Sequence, residues 1–79
     1  MTSEESQDRE QARRRAITEA EVREIVRVLK PYGVLDRDTI AERCHARTWQ
    51  EGDFDQALAT AVRSGAVEAL PDDFYKLVG

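Results

Sequence analysis

The sequence predicts a mainly α domain: three helices closed by a small β-hairpin. Three observations carry this. Apolar residues recur at helical spacing in three separate stretches, around Val22–Leu29, Ile40–Cys44 and Phe54–Val62. Gly65 follows the third stretch where a helix would stop. Beyond it, two short runs alternate apolar and polar residues on either side of Pro71-Asp72-Asp73.

The first helix is expected to begin at Thr18. Thr18 and Glu21 form a capping box, in which each side chain satisfies a free backbone N–H. Ile17 outside and Val22 inside complete a hydrophobic staple. Val22, Ile25, Val26 and Leu29 make the apolar stripe, and Pro31 with Gly33 ends it. The second helix repeats this entry. Asp36 is the expected cap, with Leu35 and Ile40 as the staple. Ile40, Ala41 and Cys44 share one face.

A longer connection follows, from His45 to Gly52. Asp53 with Gln56 reads as the cap of helix three, whose inner face is Phe54, Leu58, Ala61 and Val62. In the hairpin, Val67 and Ala69 flank Glu68, and Tyr75 and Leu77 flank Lys76. A hairpin alone is marginal in water, so it must pack on the helices.

Residues 1–16 contain no strong apolar residue after Met1 and are read as a flexible charged tail; residues 17–79 are the folded domain. Glu10–Ala16 could instead extend the first helix, because Glu, Gln, Ala and Arg favour one. Arg13, Arg14 and Arg15 are either phosphate contacts or plain solvated charge beside the tail's acids.

The chain has 79 residues, so it holds one domain at most. With 41% hydrophobic and 35% charged residues it suits a small globular core under a polar skin. No apolar run approaches the ~20 residues of a membrane span. The start Met-Thr-Ser-Glu-Glu is not a secretory signal, and one cysteine forms no internal disulfide, so a cytoplasmic location is expected. The net charge of −4 runs against the basic excess usual in nucleic-acid binders.

The order of elements resembles the winged helix-turn-helix domains of small bacterial and archaeal regulators. The resemblance spans about residues 20–78. It rests on Ile40, Ala41 and Cys44 in the first helix of the motif. Phe54, Leu58 and Ala61 follow in the second, then Gly65-Ala66-Val67 leading into the wing and Phe74-Tyr75-Lys76-Leu77 as its second strand. It implies a nucleic-acid-binding regulator, with DNA as partner and helix three nearest the major groove. The spacing from Ile40 to Gly65 is longer than usual, so the turn carries an insertion.

On that reading, Gln56, Thr60 and Arg63 form the outer face of helix three and could reach base edges and a phosphate. Arg43, Arg47 and Lys76 could add phosphate contacts. The bland reading of the same residues is a solvated face. Acids at the start of helix three (Glu51, Asp53, Asp55) and at the wing tip (Asp72, Asp73) would repel phosphates. They motivate the alternative, an acidic module that binds a protein through Asp72, Asp73 and Trp49, with no direct DNA contact. Trp49 is either an interface anchor or a plug over the core.

Cys44 is most simply a core residue; a reactive thiol would need a neighbouring cation such as Arg43 or Arg47. His45 has no second histidine and no cysteine pair at metal spacing, so no metal is expected. There is no glycine-rich phosphate loop and no Ser/His/Asp group that a domain this small could assemble with a pocket, so neither a cofactor nor an enzyme activity is expected. The oligomeric state is not legible.

Overall fold

The computed structural model describes residues 3–78, with side chains from Arg9 onward. The helices are α1 (Ser3–Leu29), α2 (Arg37–Arg43) and α3 (Asp53–Arg63). The strands are β1 (Val34–Asp36), β2 (Val67–Ala69) and β3 (Phe74–Leu77), in an antiparallel sheet ordered β1-β3-β2. The domain is therefore helix-rich with a small β-hairpin, β2–β3, as expected. The third strand, β1, was not expected. It is three residues long, and Leu35 within it serves the sheet rather than a helix staple: Leu35 pairs with Tyr75 across the ladder and packs on the core.

Helix α1 also departs from expectation. It is 27 residues long and passes through Thr18 without a break. The Thr18 hydroxyl donates back to the Arg14 carbonyl at 2.9 Å, the usual bond of a threonine inside a helix, so the capping box does not form. Ile17 is 45% exposed and makes no staple. The physical reason is the absence of any Gly or Pro before Pro31, with strong helix formers throughout. The boundary placed at residue 16 thus coincides with no break in the helix; Met1 and Thr2 of the expected tail lie outside the described residues.

The end of α1 is as read. Gly33, at φ +80, donates to the Leu29 carbonyl at 2.7 Å and turns the chain into β1. Asp36 does cap α2. Its carboxylate accepts from the Thr39 amide at 3.2 Å and the Thr39 hydroxyl at 2.5 Å. The Thr39 hydroxyl first, then its amide, hold the Asp36 carboxyl below its ordinary value. That contribution is present above the usual Asp range and fades as pH falls through the lowered value.

Helix α3 is entered through Gly52, at φ +86, with no side-chain cap. Asp53 is the first helical residue and not the cap, because the glycine carbonyl already accepts the Gln56 amide at 3.1 Å. Its exit is a Schellman motif. The Gly65 amide bonds the Val62 carbonyl at 3.1 Å and the Ala66 amide bonds the Ala61 carbonyl at 3.0 Å. Gly65 sits at φ +83 with open space where a Cβ would go. Gly65→Ala therefore meets no clash and carries only the left-handed backbone cost. We expect a loss of about 1–2 kcal/mol in a urea titration.

The core lies between α1, α2, α3 and the inner face of the sheet. Ile25, Leu29, Ile40, Ala57 and Ala61 are fully buried, and Phe54, Leu58, Cys44 and Val67 nearly so. Val22, Leu35, Tyr75, Leu77 and Trp49 pack around them. Alternation along the strands puts Val34, Glu68, Phe74 and Lys76 on the outer face. Among the described residues no helix is long and apolar enough to cross a membrane.

Candidate nucleic-acid interface

Among the described residues, two grooves and a group of acids mark the surface. The first groove, about 360 Å³, runs between the N-terminal half of α1 and the outer side of α3. Gln56 and Thr60 line it from α3; Gln11, Arg14, Arg15, Thr18 and the acidic Glu19 line it from α1. Burial along α3 explains why these residues meet. Phe54, Ala57, Leu58 and Ala61 turn inward, which leaves Gln56, Ala59 and Arg63 facing out. Thr60 lies at the margin next to α1. Arg63 donates to the Thr60 hydroxyl at 3.3 Å, and that hydroxyl donates to the Gln56 carbonyl at 2.8 Å. The three residues read from the sequence thus form one connected row. Arg14 approaches Glu10 only at 3.9 Å, with both side chains well exposed, so its charge remains available.

A group of acids stands at the start of α3, within one turn of Gln56. Glu21 of α1 lies near Asp53; burial first, then the Asp53 charge, raises the Glu21 carboxyl above its ordinary value. Asp53 and Asp55 occupy the first turn of α3, where the helix dipole favours negative charge. Asp55 is further tied up by Arg37, whose guanidinium bonds it and lies 5.2 Å from the Phe54 ring centroid. Asp72 and Asp73 form the exposed hairpin tip, both in the left-handed region at φ 63 and 61, which aspartate tolerates better than most residues.

The other sequence-read residues are not on the α3 face. Arg43 and Arg47 line a second groove that shares no residue with the first. Lys76 is on the outer face of the sheet, paired across the ladder with Glu68 and Val34. Its neighbours Tyr75 and Leu77 point into the core, so Lys76 points away from the helices. Trp49 is half-buried at the core edge, its ring 6.0 Å from Phe54 and tilted by 50°. Gln11, Thr18 and Glu19 were missed as groove residues. The signal for them was the unbroken run of helix formers ahead of Thr18.

Cys44 is 4% exposed, and burial pushes its thiol up to about 11 from an ordinary 9.0. A thiol raised this way favours the fold fully below about pH 9, and the contribution is lost as pH rises through about 11. At pH 8 the folded chain therefore carries about a hundredfold less thiolate than the unfolded one. A thiol-labelling time course with and without urea is expected to show at least that ratio. Equal rates would mean that Cys44 is not held in the core.

No family model, curated protein or solved structure matches the chain.

Proposed function

We propose that this chain is a small DNA-binding regulatory domain of the winged helix-turn-helix type, working through the outer face of α3 and the N-terminal half of α1. One observation carries the reading: Arg14 and Arg15 line the same groove as Gln56 and Thr60, one helical turn from Arg63. Phosphate affinity comes from such cations, and sequence readout from groups like Gln56 and Arg63 beside them. Ala59 between them is small enough to let the helix approach a base edge. Of the charged residues lining the groove, Arg14 and Arg15 are basic and Glu19 is acidic, so the groove carries a local positive excess in a chain of net charge −4.

A second reading has its own support. The outer sheet face exposes Val34, Phe74 and Val78 next to the acidic tip. Exposed apolar side chains beside an acidic tip, with Lys76 among them, suit a protein surface of basic character. Asp72→Lys with Asp73→Lys separates the two. With DNA as partner, the change strengthens non-specific binding to a mixed-sequence duplex at low salt, because repulsion is removed and contacts are added. With a basic protein as partner, it slows association, because complementary charge steers encounter. DNA affinity that falls on this change would count against the proposed surface.

A further inference from the structure

The second groove has no role in the reading above. It is open, about 1030 Å³, and is formed where the end of α1, α2 and the short 3-10 turn Ala46–Thr48 meet. That volume is at the upper end for small-molecule sites. Three arginines line it, Arg27, Arg43 and Arg47, together with His45 and Tyr32; Glu42 is its one acidic lining residue. In a chain of net charge −4 this is a local reversal of sign.

Two of these cations are held by neighbours, and the third stands on a fixed turn. Arg43 lies over the Tyr32 ring, 4.7 Å from its centroid, which orients the guanidinium plane. Arg27 is bonded to Glu24, so part of its charge is already answered. Arg47 has no ion-pair partner among the described residues, and it sits on a turn that is tied down at both ends. The Thr48 amide and hydroxyl both donate to the His45 carbonyl, at 2.9 and 2.7 Å, and the Trp49 amide closes on Ala46 at 3.0 Å. Tyr32 is 53% exposed, with Arg43 over its ring.

We propose that this groove binds phosphate groups, with Arg43 and Arg47 as the principal contacts. Planar guanidiniums match phosphate oxygens two at a time, and a pre-oriented fork loses little freedom on binding. The phosphates could belong to a free oligophosphate or to a nucleic-acid backbone; the chemistry of the groove is the same for both.

The test is a titration of the full chain with tripolyphosphate and, separately, with a short duplex. It is followed by amide chemical shifts and run against sulfate at matched ionic strength. The expected result is a saturable shift of Tyr32 and residues 43–48 with one or both probes. Arg43→Gln with Arg47→Gln should weaken it at least tenfold while the remaining spectrum, and hence the fold, stays unchanged. Arg14→Gln with Arg15→Gln should leave tripolyphosphate binding intact. A response to tripolyphosphate identifies a small ligand as one that fits, and a response to duplex alone identifies the backbone. Absence of groove shifts with both probes, or shifts that sulfate reproduces or that survive Arg43→Gln with Arg47→Gln, would overturn the proposal. Because the two grooves share no residue, failure here leaves the α3 surface untouched, and the reverse holds too.

Discussion

Leu58→Ala is expected to destabilise the fold by about 2–5 kcal/mol, the range for a leucine deleted from a packed core. Leu58 is 3% exposed on the inner face of α3, within the cluster that includes Ile25, Leu29 and Phe54. The chain has little to spare. At ~0.05–0.15 kcal/mol per residue, a domain of this length holds roughly 4–12 kcal/mol in all. For a total near the lower end, the upper part of the range leaves a large unfolded fraction at 25 °C. A urea titration followed by circular dichroism measures the loss. Val62→Ala, at a half-buried position on the same helix, should cost clearly less. A Leu58→Ala midpoint at the wild-type value would mean that α3 presents another face to the core.

The second large effect concerns salt. Each phosphate neutralised by a protein cation contributes about 0.9 to the slope of log affinity against log salt. Arg14→Gln with Arg15→Gln is therefore expected to weaken duplex binding at 50 mM salt and to flatten the slope by about 1.8. Over a fourfold rise in salt the deficit should shrink by about tenfold. Glutamine keeps helix propensity nearly unchanged, so α1 is not perturbed. The control is the same neutralisation at Arg23 and Lys30, which line neither groove. If both double variants flatten the slope equally, only net charge is being measured. The outer face of α3 would then lose its claim to the contact surface.

Most of the fold was legible because its signals are local. The apolar periodicity of α3, the Asp36 cap and the glycines at 33 and 65 each act within one turn of chain, and each appears where it was read. Thr18 was misread for a related reason. A capping box is a start signal only when the residues before it leave the helix, and Glu10–Ala16 do not. Strand β1 escaped because its evidence is not local. Val34-Leu35-Asp36 becomes a strand by pairing with residues some forty positions away. The row Gln56–Thr60–Arg63 followed from helical spacing alone. That Arg14 and Arg15 lie beside it, and that Arg43, Arg47 and Lys76 do not, depends on how α1 crosses α3 and how the sheet is pleated. No spacing rule carries that information.

The long first helix has an energetic consequence. Every residue from Arg9 to Ile17 is exposed, and the first fully buried side chain of α1 is Ile25. Its outer turns therefore rest on backbone bonds and a shallow groove, while its inner turns rest on the core. Such a helix opens from one end. Amides in the outer turns should exchange with solvent through fraying that leaves the core intact, and those near Ile25 and Leu29 only when the whole domain unfolds. A ligand held by Arg14 and Arg15 would then slow exchange selectively in the outer turns, by an amount set by its concentration over its dissociation constant. Half of this helix is part of the scaffold; on the proposed function, the other half would gain stability from what it binds.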